Sequence, residues 1–253
     1  MENVLISGAS SGIGYELARQ FASNEYNIIA VARNLEALLN LKKELEQEHN
    51  IKVHVFKKNL NNINEIKSLI NELDEMKLKV NILINNAGFG YVNEFIEEDY
   101  EKDNEMINLN INALTYMTKI ISKRMIRQKS GKILNVASTG AYCGGPYTAV
   151  YYATKAYVLS FSEALNVELK PYNILVSTLC PGATKTNFAK NAGRKENVNA
   201  RRASYVAQKA YKGLLNNKSL IIPGIENKLF ILIPRRLVIL FVGKYQKSLK
   251  IRE

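Results

Sequence analysis

Seven short apolar runs, separated by amphipathic stretches of helix length, limit the folds open to this chain more than any other feature. The runs lie at 4–6, 28–31, 53–56, 80–84, 133–137, 174–179 and 220–222, and helix-like periodicity fills 13–22, 35–47, 63–73, 104–127, 151–169 and 204–215. Continuous Val, Ile and Leu in the short runs fits strands buried on both faces. Regular strand and helix alternation then makes the chain an α/β protein built on a parallel sheet with helices on both sides. Ligands of such sheets bind beyond the carboxyl ends of the strands, so residues just after each run carry the functional reading.

At 253 residues the chain suits one large domain, and Ser130-Gly131, Gly144-Gly145-Pro146 and Pro181-Gly182 are single punctuation points rather than linkers. Residues 1–253 are therefore read as one domain. No basic leader or long apolar core precedes the first strand, and two cysteines, Cys143 and Cys180, suit a reducing compartment without a disulfide. A cytoplasmic protein is expected. His49 and His54 have no ligand-spaced neighbours, so no metal site is expected. The net charge is +12, and residues 226–253 hold seven basic residues against two acidic ones. No basic stripe interleaved with aromatics runs through the body, which argues against nucleic acid.

Four motifs fall at strand ends. Gly8, Gly12 and Gly14, with Ser10, Ser11 and Ile13 between them, follow the first run and open a helix. Glycines in isolation are loop punctuation; between a strand and a helix they free backbone N–H groups and the helix dipole to hold a pyrophosphate. Asn85-Asn86-Ala87-Gly88 closes the fourth run, and Pro181-Gly182-Ala183-Thr184-Lys185-Thr186 the sixth. Tyr151 and Lys155 are four apart on a helix, with Ser138 thirteen residues before the tyrosine. That spacing alone fits either a packed ring beside a solvated amine or an acid/base pair in which the ammonium lowers the phenol pKa.

Together these residues resemble the short-chain dehydrogenase/reductase family across nearly the whole chain. Gly8-x-x-x-Gly12-x-Gly14, Asn85-Asn86-Ala87-Gly88, Asn110, Ser138, Tyr151-x-x-x-Lys155 and Pro181-Gly182 stand in the family's order and near its spacings. The resemblance implies a Rossmann-like doubly wound sheet of about seven strands, a nicotinamide dinucleotide, and hydride transfer to a carbonyl or from an alcohol. It makes Tyr151 the general acid in reduction, and Lys155 the residue that lowers its pKa and holds the nicotinamide ribose. Ser138 would bond the substrate oxygen and Asn110 would anchor a water relay. The glycine turn, Asn86, Ala87, Gly88, Pro181, Gly182, Thr184 and Thr186 would line the dinucleotide. The four-residue Tyr-to-Lys spacing, rather than seven, favours carbonyl or alcohol chemistry over enoyl reduction.

Arg33 stands at the end of the second run, where an acid would bond a ribose 2′-hydroxyl, so NADP(H) is expected over NAD(H). Asn59, before Leu60, replaces the aspartate usual for adenine contact in the family. Three functions stay open: an NADP(H)-dependent reductase of small or lipophilic carbonyls, a 3-oxoacyl-carrier reductase whose basic surface suits an acidic carrier, and a non-catalytic dinucleotide sensor or scaffold. The polar segment 187–202 is read as a lid over the substrate. The apolar and basic extension 226–253 is read as a helix packed on the core, the subunit interface or the substrate mouth, with peripheral membrane contact as the alternative. The resemblance also implies a homodimer or tetramer, paired through the helices at 104–127 and 151–169.

Overall fold

The computed structural model describes residues 1–195, 197 and 199–249. Glu196 and Val198 of the polar segment, and 250–253 with the tail cations Lys250 and Arg252, lie outside the described residues. In chain order, β1 (Asn3–Ser7), α1 (Gly12–Ala22), β2 (Asn27–Ala32), α2 (Leu35–Glu48), β3 (Val53–Lys57), α3 (Ile63–Glu75) and β4 (Ile82–Asn85) form the first half. The second half holds α4 (Tyr100–Ile107), α5 (Leu114–Gln128), β5 (Gly131–Val136), α6 (Ala149–Leu169) and β6 (Ile174–Leu179). Beyond these come β7 (Thr184–Lys185), α7 (Phe188–Asn191), β8 (Arg201–Arg202), α8 (Ala203–Leu215), β9 (Leu220–Ile221), α9 (Ile225–Phe230) and α10 (Arg235–Leu249).

One parallel sheet runs in the order β3-β2-β1-β4-β5-β6-β9, the doubly wound arrangement that the family resemblance implies. Successive side chains of a strand point to opposite faces. Val4 and Ile6 accordingly join Leu17 and Phe21 of α1, Leu38 and Leu41 of α2 and Ala210 and Leu214 of α8. Leu5 turns the other way, toward Ile66 and Leu69 of α3 and Met117 and Ile121 of α5. Chain order reverses between β1 and β4, which opens a crevice at their carboxyl ends, where the motifs lie.

Two elements differ from the sequence reading. The helix expected at 104–127 starts at Tyr100 and is widened by a π-helical stretch, Asn108–Ala113, that divides α4 from α5. The extra residue in the widened turn carries Asn110 inward, a common use of such bulges. The apolar run at 229–242 is two helices rather than one, because Pro234 has no N–H and ends α9's extension while α10 begins at the next residue. Val238, Val242, Gln246 and Leu249 of α10 are buried, with the first two packed against Cys143, Tyr152 and Phe230. Its other face is exposed. Among the described residues no helix is long and apolar enough to cross a membrane.

Candidate active site

A continuous cleft of about 760 Å³ runs along the carboxyl edge of the sheet. The candidate catalytic and dinucleotide-binding residues, apart from Asn110 and Gly14, line it. Gly14 is buried directly behind the turn and Asn110 behind Gly88. At the β1 end, Gly8 and Gly12 take left-handed backbone conformations, φ 69° and 57°, which side chains resist. A Cβ on Gly14 would collide with the Gly8 carbonyl. Ser11, the residue before α1, leaves the first turn without a side-chain cap. The turn therefore aims uncapped N–H groups and the positive end of α1 into the cleft, a cradle that fits the diphosphate of a dinucleotide.

Asn86 fixes that cradle. Its Nδ2 donates to the Ser7 and Gly8 carbonyls at 3.0 and 3.2 Å, while its own N–H and that of Ala87 donate to Ser7 Oγ, each at 3.0 Å. Asn59 spends its side chain locally, accepting from Asn61 N at 3.2 Å. Leu60 and Thr186 also face the cleft, and Thr186 packs over Gly12. Arg33 is exposed at the end of β2 and forms no ion pair among the described residues. Lys58, also on the cleft wall, is engaged by Glu72 at 2.5 Å and Ser68 at 3.0 Å.

The second half of the cleft brings Ser138, Tyr151, Lys155 and Asn110 together. Lys155 is 6% exposed and its Nζ donates to the Val136 carbonyl at 2.9 Å. Burial drives its pKa down to about 8. The ammonium lies 5.7 Å from the centre of the Tyr151 ring rather than against the phenol oxygen. Burial pushes the Tyr151 pKa up to about 12, with Ser138 and then Arg194 pulling it down and Tyr152 pushing it up. Loss of water outweighs every favourable neighbour, and the moderating groups are Ser138 and Arg194.

Asn110 sits behind this pair. Its Nδ2 donates to the Phe89 carbonyl at 2.9 Å and Thr154 Oγ1 at 3.0 Å, and its Oδ1 accepts from Phe89 N at 3.1 Å. Ser138 caps its own turn by accepting from Gly140 N at 3.0 Å. Pro181, Gly182 and Thr184 close the wall after β6, with Thr184 Oγ1 donating to the Gly182 carbonyl at 2.9 Å.

Several contributors escaped the sequence reading. Gly90 lies under the Tyr151 ring, where a Cβ would come within 2.5 Å of Cδ2. Phe188 packs on the same ring at 5.3 Å between centroids, and the Arg194 guanidinium lies 5.4 Å over Phe188. Phe230, Val242, Tyr245 and Gln246 bring α9 and α10 to the cleft, and Gln246 Nε2 donates to the Tyr152 hydroxyl at 3.1 Å. The motif spacing carried no signal for these tail residues. Gly90 stands two residues after the Asn85–Gly88 motif, outside it.

Residues 2–197 match the family model described as short chain dehydrogenase, so the chain belongs to the short-chain dehydrogenase/reductase family. A mouse 17-beta-hydroxysteroid dehydrogenase type 3 is 29% identical over 76% of this chain and 63% of its own length. A very-long-chain 3-oxoacyl-CoA reductase-B of Danio rerio is 29% identical over 74% of this chain and 60% of that protein. The chain thus matches about three-fifths of the length of these curated relatives. A short-chain dehydrogenase from Sphingobium yanoikuyae, solved with NADPH, superposes at TM-score 0.84 with 29% identity, over 100% of this chain and 97% of that one. The fold is the dinucleotide-binding one of that family.

Because Lys155 sheds its proton near pH 8, dinucleotide binding that uses its charge has a defined pH dependence. NADPH affinity should be flat below that point and weaken above it by up to about tenfold per pH unit, and Lys155→Met should remove the dependence. Fluorescence titrations from about pH 6 to 10 read this out. Constant affinity across the range in the unmodified protein would show that the ammonium does not act on the dinucleotide.

Proposed function

We propose that the protein is an NADP(H)-dependent reductase or dehydrogenase acting on a carbonyl/alcohol pair, with Tyr151, Ser138, Lys155 and Asn110 as its working residues. One observation carries the reading: a half-buried tyrosine, moderated by a serine hydroxyl and backed by a buried ammonium, stands at the end of a dinucleotide cradle. NADP(H), when bound, supplies or takes up the hydride. In the reducing direction the Tyr151 O–H bond gives its proton to the carbonyl oxygen, and the phenolate left behind faces Ser138. Its raised pKa keeps the phenol protonated at neutral pH, the state a donor requires. Ser138 Oγ, held by Gly140 N, orients the carbonyl oxygen, and Asn110 braces the Phe89 backbone over Lys155.

The preference for NADP(H) rests on Arg33, unpaired by any described carboxylate at the end of β2, and is supported by the NADPH held by the Sphingobium relative. The substrate we favour is a lipophilic ketone or its alcohol. Support comes from the apolar wall of Phe188, Phe230 and Val242 and from a relative named for 17-beta-hydroxysteroids. A 3-oxoacyl thioester is the second reading, favoured by the basic surface and the Danio relative. Residues 187–202 act as the lid in either case. Buried free thiols at Cys143 and Cys180 support a reducing, cytoplasmic setting. Assembly through α4, α5 and α6 is supported by the exposed apolar Tyr157 and Val167 on α6, and light scattering should return two or four times 28.5 kDa. A monomer at micromolar concentration would remove that assembly.

Tyr151→Phe keeps the ring and removes the proton, so turnover in a ketone and 3-oxoacyl thioester panel should fall by about 10²–10⁴-fold while NADPH still binds. Ser138→Ala should lower mainly turnover, and Lys155→Met both turnover and dinucleotide affinity. A Tyr151→Phe protein retaining more than about a tenth of turnover, under chemistry-limited conditions, would defeat the donor role.

Arg33 bonded to a 2′-phosphate forms a charged hydrogen bond worth roughly 1.5–3 kcal/mol. Arg33→Asp should weaken NADPH binding by about ten- to a hundredfold and improve NADH relative to it. Equal NADPH and NADH dissociation constants in the unmodified protein would contradict the assignment.

A further inference from the structure

We propose that the outer face of α9, the turn after it and α10 is a docking surface for an anionic lipid membrane. Its apolar part is a run of side chains left exposed among the described residues. Leu229, Leu232 and Ile233 come from α9 and the turn, and Leu237, Leu240 and Phe241 from α10, with Leu232, Leu240 and Phe241 exposed to 75%, 68% and 73%. On α10 the positions 237, 240, 241 and 244 fall on one side of the helix, opposite the buried stripe of Val238, Val242, Gln246 and Leu249. Both faces are thus specified: one packs on the core and the other carries large apolar groups into water. Isolated exposed leucines are ordinary, but a contiguous group of six on adjoining helices is not.

Charge selects the occupant. Between Asn227 and Leu249 the sequence holds five cations, Lys228, Arg235, Arg236, Lys244 and Lys247, and no Asp or Glu. All five are exposed, and none forms an ion pair among the described residues. A second copy of this chain would bring the same five cations to a self-contact across a two-fold axis, where like charges repel. An anionic bilayer surface takes both features together, the leucines and phenylalanine entering the headgroup boundary and the lysines and arginines meeting lipid phosphates. A 15-residue α10 lies in such a plane rather than crossing it.

The same helices line the cleft from inside through Phe230, Val242, Tyr245 and Gln246. Docked by their outer face, they set that wall of the cleft against the lipid boundary, the phase in which a lipophilic ketone or acyl chain resides. Only this consequence rests on the proposed function; the docking does not.

The test uses the full chain with sedimented vesicles of phosphatidylcholine containing roughly a third phosphatidylserine. Binding should be strong at low salt, weak to pure phosphatidylcholine and reduced by high salt. Leu240→Ser with Phe241→Ser should lower the partition coefficient at least about tenfold, and Arg235→Ala, Arg236→Ala and Lys244→Ala together on the order of a hundredfold. None of the five lines the cleft, so NADPH affinity and melting temperature, measured alongside, should be unchanged. The chain has no tryptophan, so Phe241→Trp adds a single reporter whose emission should shift to the blue on vesicle binding and be quenched by brominated acyl chains. Unmodified protein that stays in the supernatant when anionic vesicles are sedimented, or binding unaffected by the Leu240/Phe241 changes, overturns the proposal. So does a mass by light scattering that falls in the Leu240/Phe241 variant without vesicle binding in the parent, which would make the face a subunit contact.

Discussion

The five residues that follow β4 hold the two halves of the cleft in register. Asn86 bonds the Ser7 and Gly8 carbonyls and so fixes the glycine turn against the next strand. Gly88 passes close to Asn110 Oδ1 and Lys155 Nζ, where a Cβ would lie 2.8 and 3.4 Å away. Phe89 exchanges both backbone hydrogen bonds with the Asn110 side chain, and Gly90 slides beneath the Tyr151 ring. One short strand end therefore touches the phosphate cradle, the buried cation and the phenol in turn. Small residues are required because three elements, α1, the π-helical stretch and α6, close on the same segment.

Desolvation sets the chemistry of the cleft floor. The Lys155 ammonium has a single carbonyl acceptor in the described structure and its proton is loosened toward pH 8, while the Tyr151 proton is tightened toward pH 12. Burial is the largest cause of both shifts. At Tyr151, Ser138 and Arg194 offset part of it. The result is a phenol held protonated beside a cation near the edge of its charged range, with its orientation fixed by Gly90 and Phe188.

The tail shows how one helix serves two surfaces. Val242 and Gln246 build the cleft wall and reach Tyr152, the neighbour of the tyrosine at the centre of the site. The opposite side of α10, with Leu237, Leu240, Phe241 and Lys244, carries the apolar and basic groups outward. A change in the position of α10 would thus be felt at the cleft through Gln246 and Tyr152, since packed helices move as units.

The sequence by itself determined the parallel sheet, its helices and the residues at its carboxyl edge. Strand periodicity, glycine conformation and the i to i+4 geometry of Tyr151 and Lys155 are local properties. Motif order was also enough to recognise the family and to assemble Gly8, Asn86, Ser138 and Tyr151 around one cleft, because a doubly wound sheet leaves those strand ends only one edge. What only the tertiary structure decided depends on contacts distant in sequence: the π-helical turn that carries Asn110 to Phe89 and Thr154, the Gly90 and Phe188 clamp on Tyr151, and the reach of Gln246 to Tyr152. The tail was legible as apolar and basic but not as two-faced, because Pro234 splits it and burial of one face depends on where α10 meets Cys143 and Tyr152. The direction of the Tyr151 shift was likewise beyond spacing, since it is set by how much water the folded chain removes.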